Sequence, residues 1–241
     1  MHMFASSRAL LTVALIILPA FVSAEAVDDP WQPMNRVVFD FNETADEWVA
    51  TPVAEAYVAV TPSLIRRGVS NVFDNFEDVN GVVNALLQAK VPETATNLVR
   101  VVLNSTLGLL GLFDVATGMG FERYDTDFGQ TLAVWGVPQG PYVVLPILGP
   151  NTVRSSFGEG VDAYASVTTA IDDVETQWGV RTLGLIDTRA SLLGANDLLS
   201  GDRYIFLRDA YLQRRQAQLS GETEPKDTFS DFDDDWESDD F

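Results

Sequence analysis

Apolar residues recur at helical spacing along most of this chain, and no window sustains the alternation expected of a strand. Met34, Val37, Val38, Phe41, Ala45 and Trp48 fall on one stripe and predict a first helix, with Phe39 adding an aromatic off that stripe. Thr61-Pro62-Ser63 reads as the start of a second helix, Thr61 capping and Pro62 in the first turn, with Ile65, Val69, Val72, Phe73, Phe76 and Val79 along its side. A third begins near Pro92 and aligns Ala95, Leu98, Val99 and Val102. Asp127-Phe-Gly-Gln130 has the form of a capping box opening a short helix with Phe128, Leu132 and Trp135 together. Two more stripes follow, Val153, Phe157, Val161, Tyr164 and then Val167, Ile171, Val174, Trp178. A last helix from about Asp202 to Gln218 carries Tyr204, Leu207, Tyr211 and Leu212 and finishes on Arg214-Arg215, which suit the negative end of a helix dipole. The predicted fold class is all-α.

Two apolar segments break the pattern. Val101 to Phe113 is shorter than a membrane span and contains Asn104, Gly108 and Gly111. Gly136 to Pro150 is apolar yet rich in glycine and proline, and Pro138, Pro141 and Pro146 forbid a continuous helix. Loops normally face water, where their backbone groups find partners. An apolar loop is therefore either a buried turn of an ordinary core, the commoner origin, or backbone held at membrane depth inside protein or beside a wet cavity. The first helix is open in the same way. It fits a core helix as well as one lying in a membrane interface with Trp31 and Trp48 at headgroup level.

The ends differ from the middle. Arg8, the apolar run Ala9 to Leu18, the break at Pro19 and the small residues Val22-Ser23-Ala24 read as a secretory signal over residues 1–24. Residues 25–220 form the predicted helical domain. From Gly221 to Phe241 the chain has ten acids, one lysine and Phe229, Phe232, Trp236 and Phe241 among them; it reads as a disordered acidic tail.

Charge and composition then remove whole classes of function. Removing the signal takes away Arg8 and no acid, so 15 basic residues become 14 against 35 acidic, and a net charge of −20 becomes −21. Nucleic-acid binding, which needs Lys and Arg on phosphates, is excluded as an expectation. There is no cysteine, so disulfides, thiolate catalysis, cysteine zinc sites and a cysteine-linked lipid anchor have no residue to use. The single histidine, His2, lies in the signal. Asp172-Asp173-Val-Glu175 and Asp125-Thr-Asp127 lack the spacing of a cation loop and read as solvated faces. The expectation is no enzyme, no catalytic residues, no metal and no cofactor.

Seven motifs in order resemble the MlaA (VacJ) family of outer-membrane phospholipid-transport lipoproteins. They are Asp29-Pro-Trp-Gln-Pro-Met-Asn-Arg36 with Phe39-Asp-Phe-Asn42, then Arg67-Gly-Val-Ser-Asn71, then Asn104-Ser-Thr-Leu-Gly-Leu-Leu-Gly-Leu-Phe-Asp114. Asp127-Phe-Gly-Gln-Thr-Leu132, Gly140-Pro-Tyr-Val-Val-Leu-Pro146, Thr188-Arg-Ala-Ser-Leu-Leu193 and Arg203-Tyr-Ile-Phe-Leu-Arg-Asp-Ala-Tyr-Leu-Gln213 complete the set. The resemblance implies a ring-like helical unit in the periplasmic leaflet of the outer membrane. Such a unit draws mislocalised phospholipids from the outer leaflet through an amphipathic channel, hands them to a periplasmic carrier of the Mla pathway, and associates with trimeric porins. On that reading Val37, Val38, Phe39, Phe41 and Trp48 embed the first helix in the membrane. Gly140, Pro141, Tyr142, Val143, Val144, Leu145 and Pro146 form a channel wall or gate, and Asn104 and Arg203 offer polar contacts along the path. The alternative is a scaffold that associates with porins without moving lipid. One departure stands out: many family members carry a lipidated cysteine, and this sequence has none.

Overall fold

The computed structural model describes residues 29–194 and 201–220; the segment read as a signal and the acidic tail lie outside the described residues. Helix α1, Gln32–Ala45, passes through one π-helical turn, Asp46–Ala50, directly into α2, Thr51–Val60. The first helical stretch therefore runs beyond Trp48, where the apolar stripe ends. Thr61 closes α2, its N–H bonding Tyr57 O at 3.0 Å, so it does not cap the next helix. Pro62 holds that position, without a side-chain cap, ahead of α3, Ser63–Leu87. Helix α4, Val91–Thr106, a short α5, Val115–Gly118, and α6, Phe128–Val134, follow. Asp127 caps α6 as expected, accepting from Gln130 N at 2.9 Å.

The all-α expectation holds with one exception, an antiparallel hairpin. Strand β1, Tyr142–Leu145, pairs with β2, Gly149–Thr152, in the register Tyr142↔Thr152 to Leu145↔Gly149. Prolines on both sides of the Tyr-Val-Val-Leu run forbid a helix, and the two valines suit extended backbone. Helix α7, Val153–Ala165, a 3₁₀ turn, Val167–Ala170, α8, Val174–Ser191, and α9, Arg203–Ser220, complete the described chain.

The packing closes a circuit. Helix α2 lies on α8, α8 on α3, α3 on α6, α6 on α7, α7 on the hairpin, and β1 on α1, while α4 flanks α3. Where α6 meets α7 the backbones touch, and a Cβ on Gly158 would lie 2.3 Å from Gly129 N. No side chain on Gly158 fits against that backbone, so this position requires glycine, while a Cβ on Gly129 would crowd the paired ends of Arg215 and Asp127 at 2.9 Å.

What fills this circuit reverses the usual order. Among the described residues only six hydrophobic side chains are buried, three of them alanines, against eighteen polar or charged ones. Cohesion inside must therefore come from hydrogen bonds and ion pairs more than from a hydrophobic core. On α4 the buried residues are Asn97, Arg100 and Asn104, spaced one helical face apart, while Leu98 and Val102 point out. The same holds for α3, whose inner face is Gly68, Asn75, Asp78, Gly81, Asn84 and Ala85. No described helix is long and apolar enough to cross a membrane.

The deepest ion pair shows how such an interior is satisfied. Arg100 Nε meets Asp78 Oδ2 at 3.1 Å, with both side chains almost wholly enclosed. The remaining guanidinium nitrogens donate to Phe121 O at 2.7 Å, Thr117 Oγ1 at 2.8 Å and Asp114 Oδ2 at 3.3 Å. Arg123 joins from the loop, Nε to Asp78 Oδ1 at 2.9 Å. Burial nonetheless holds the Asp78 carboxyl above the ordinary carboxylate range, against the pull of Arg123 and Arg100. Removing one partner of such a knot strands the others. Arg100→Met should cost about 3–5 kcal/mol in denaturant unfolding of the purified protein, and adding Asp78→Leu should restore most of that loss. A single variant as stable as the wild type would show that the pair carries no such weight.

Candidate functional site

A two-stranded hairpin is not stable alone in water, so the question is what holds this one. Part of the answer is its inner face. Tyr142 and Val144 are buried against Tyr204 of α9, with Val38, Phe39, Ile205, Tyr211 and Leu212 packed around them. The rings of Phe39 and Tyr142 both meet Tyr204 edge-on, at centroid separations of 5.6 and 6.2 Å. Asp29 accepts a hydrogen bond from the Tyr204 hydroxyl, tying the start of the described chain to the same cluster.

The rest of the answer is on α1. Asn35, 0% exposed, donates Nδ2 to Tyr142 O at 3.1 Å, and its Oδ1 accepts from Val144 N at 2.9 Å. Asn42, two helical turns on, repeats the arrangement one step up the strand: Nδ2 to Leu145 O at 2.9 Å, and Oδ1 from Ile147 N at 2.8 Å. A carboxamide carries the donor and acceptor of a peptide group. Asn35 therefore pairs with the free edge of β1 as a second strand would, and Asn42 holds the last carbonyl of the strand and the turn after it in the same way. Seven residues apart on a helix, they fall on one face by construction.

Beyond this clasp the hairpin carries strain and exposed apolar surface at its tip. Ile147 adopts φ 69°, a left-handed conformation that a β-branched side chain resists. Its side chain is 73% exposed, and Leu148 beside it is exposed too. Strain of this kind gathers at functional segments, where surrounding contacts hold it in place.

Of the residues singled out from sequence, the segment Gly140 to Pro146 forms β1 and its approaches, so those residues lie together in one strand of the hairpin. The first helix divides. Val37, Phe41 and Trp48 point outward, whereas Val38 and Phe39 pack inward on the hairpin cluster. Asn104 is buried, its Nδ2 donating to Asp114 Oδ1 at 3.0 Å and its Oδ1 accepting from Ala116 N at 2.9 Å, so its amide is spent on the loop after α4. Arg203 pairs with Glu43 at 2.6 Å and lines a polar cleft of about 470 Å³ with Arg36, Asp40 and Asp202. Sequence reasoning passed over Asn35 and Asn42, although both stand in its first motif; polar residues at i and i+7 beside an apolar stripe were the signal. A second cleft, about 490 Å³ and mostly apolar, lies between α3 and the 109–112 loop, with Phe76, Leu110 and Val167 on its walls.

The fold and this site together define a helical protein with a polar interior, an apolar exterior and a hairpin clasped by its first helix. The chain belongs to the MlaA lipoprotein family, whose model matches residues 27–218. The Intermembrane phospholipid transport system lipoprotein MlaA of Escherichia coli (strain K12) is 36% identical over 203 residues, covering 80% of this chain and 79% of that protein. Its counterpart of the same name in Haemophilus influenzae is 30% identical over 200 residues, with 80% of each chain covered. A solved structure, described under the structural basis for maintenance of bacterial outer membrane lipid asymmetry, superposes with a TM-score of 0.71 at 34% identity, spanning 80% of this chain and 99% of that one.

The two clamps should be separable by experiment. Asn35→Ala leaves Tyr142 O and Val144 N–H buried without partners and should cost about 2–4 kcal/mol of stability. Asn42→Ala acts nearer solvent. It should leave global stability almost unchanged while the Ile147 amide exchanges hydrogen at least about tenfold faster, read by hydrogen-exchange mass spectrometry. Unaltered exchange at Ile147 would mean that something other than α1 holds the tip.

Proposed function

We propose that this protein works at the outer membrane as a phospholipid-transport component: it takes mislocalised phospholipids from the outer leaflet along an amphipathic path and passes them to a periplasmic carrier. The observation that carries this reading is the reversed distribution of side chains. Trp48, Leu110, Ile147 and Tyr164 are each more than 70% exposed, and dozens of large apolar side chains join them outside. With so few apolar side chains buried and so many exposed, this distribution is the reverse of a soluble monomer's, and exposed apolar surface that joins into large patches marks contact with lipid or protein. A surface of this kind beds a protein into one leaflet without a spanning helix, and it supplies an attachment that needs no cysteine-linked anchor. The names of the relatives point to the same class of cargo.

Within that reading the hairpin is the moving part. Its tip presents Ile147 and Leu148 to the surroundings, its root is packed on α9, and its edge is held by two replaceable amide pairs. A lipid needs an apolar route for its chains and a polar one for its headgroup, and the hairpin separates the apolar exterior from the polar interior. Association with a trimeric porin would place the protein where both leaflets are within reach.

The test is the phospholipid content of the outer leaflet, measured on intact cells with a membrane-impermeant amine label. Deletion should raise outer-leaflet phospholipid, and the complete chain should restore it. Ile147→Asp with Leu148→Asp alters only exposed positions, so it should leave thermal stability within about 0.5 kcal/mol of wild type and still fail to complement. An outer leaflet that does not change on deletion, with the protein recovered in outer-membrane fractions, would favour a porin-associated scaffold. Full complementation by the double variant would remove the gate.

A further inference from the structure

Four arginines are buried among the described residues: Arg100, Arg154, Arg208 and Arg215. Three of them lie beside carboxylates, Arg100 with Asp78, Arg208 with Asp209 and Arg215 with Asp127. Arg154, only 7% exposed, has none within ion-pair distance, in a chain whose acids outnumber its bases 35 to 15. Its Nη1 donates to Val137 O at 3.0 Å, and its Nε is fully buried without a partner. The second terminal nitrogen, Nη2, donates to no described residue yet is not among the sealed atoms, so it keeps access to the outside.

The surroundings make this charge worse placed still. Arg154 is the second residue of α7, at the positive end of the helix dipole. Arg215 adds like charge; burial first, and then that neighbour, hold the Arg154 guanidinium below its ordinary pKa. Asp127 is already engaged by Arg215 at 2.5 Å. A buried, uncompensated charge lowers stability. Three separate unfavourable effects on one side chain are what a site for an anion looks like before the anion arrives.

Its position in the fold is specific. The first amides of α7 are taken up by the segment leading into β1 and by the cap: Val153 N bonds Pro141 O at 3.1 Å, Arg154 N bonds Gln139 O at 3.1 Å, and Ser155 N bonds Thr152 Oγ1 at 3.2 Å. An incoming anion is left the guanidinium edge as its donor, not bare helix amides. Arg154 thus sits at the root of the hairpin, at the opposite end from Ile147.

We propose that Arg154 receives a phosphoester oxyanion at the hairpin root, the phosphodiester of a phospholipid headgroup being the source that the transport reading supplies. The inference rests on that reading for the identity of the phosphate, not for the existence of the site. An anion there neutralises the buried guanidinium, satisfies Nη2 and favours the dipole of α7. Binding at the root would also couple a headgroup to the strand that α1 clasps.

The experiment compares the detergent-solubilised full chain with Arg154→Gln and Arg154→Lys. Three probes are used: short-chain phosphatidylglycerol, the diacylglycerol that lacks its phosphate, and inorganic phosphate. Without a probe, Arg154→Gln should melt about 2–4 °C higher than wild type, because an uncompensated charge is gone. It should also bind the phospholipid at least about tenfold more weakly while its diacylglycerol binding is unchanged; Arg154→Lys should keep affinity within a few-fold. Competition by inorganic phosphate would identify a general phosphate site, and its absence would assign the site to lipid headgroups; either supports the oxyanion. Equal loss of diacylglycerol binding would reveal a merely structural residue and overturn the proposal. So would a folded Arg154→Gln variant with wild-type melting and affinity. Should Arg154→Gln not fold, wild type that is stabilised no more by phospholipid than by diacylglycerol overturns it alone. Outer-leaflet lipid in deletion cells tests the transport reading separately, since the site can bind phosphate whether or not that leaflet changes.

Discussion

A side-chain amide standing in for a peptide group is the interaction on which this structure depends most. Asn35 pairs with the edge of β1, Asn42 with the end of that strand and the turn after it, and Asn97 with Tyr124, donating to its O at 2.8 Å and accepting from its N at 3.2 Å. Asn71 and Asn104 hold the loop after α4 at Leu112 O and Ala116 N. At Asn35, Asn42 and Asn97 a helix fixes a non-helical segment through the asparagine's own donor and acceptor. The device follows from the reversed interior. With few buried apolar side chains to hold loops down, the irregular backbone must find its partners among polar side chains, and an amide satisfies donor and acceptor at once. Replacing Asn35 or Asn97, both fully buried, removes two bonds to the backbone and leaves two backbone groups without them, so those two positions tolerate little change.

The exterior is explained by the same balance seen from the other side. Leu109, Leu110 and Ile147 all adopt positive φ, where a side chain costs roughly 1–2 kcal/mol, and all three are exposed. In water that expense would accompany the liability of apolar surface. Against acyl chains, as the proposed function would have it, the surface would carry no penalty and the driving force between helices would fall away, leaving hydrogen bonds, ion pairs and close backbone approaches such as Gly129 against Gly158 to hold them together. The ion pair of Asp46 with Arg189, at 2.5 Å, joins the π-turn after α1 to α8 in this way.

Much of the fold was legible in the sequence because helical periodicity does not depend on solvent. The stripes of α1, α3 and α4, the Asp127 cap and the closing α9 all follow from spacing alone. What periodicity cannot give is polarity: a stripe at 3.6-residue spacing is the same stripe whether it faces a core or a lipid. Leu98 and Val102 read identically in both cases, and only the buried Arg100 opposite them decides. The hairpin was legible as a place where helices stop, from its prolines, but the run from Tyr142 to Leu145 is too short for alternation to announce a strand. The clamps escaped for a related reason. Asn35 and Asn42 lie 107 and 103 residues from their partners, and no local rule connects an asparagine on a helix to a strand that far along the chain.

The two clamps are unequal, and the inequality sets an order of events. The bonds of Asn35 are enclosed, so no water competes for them, while the bond from Ile147 N to Asn42 lies at the surface. Local opening draws on the least protected contacts first. The tip, already strained at Ile147 and lightly held, can therefore release while the root stays fixed on Asn35, Tyr204 and the start of α7. A hairpin held this way would open from its tip before its root. Arg154 is at that root, beside the end of the hairpin that the enclosed clamp holds. On the proposed reading, headgroup recognition and the apolar tip would fall at opposite ends of one hairpin, as the polar and apolar ends of an amphipathic cargo require.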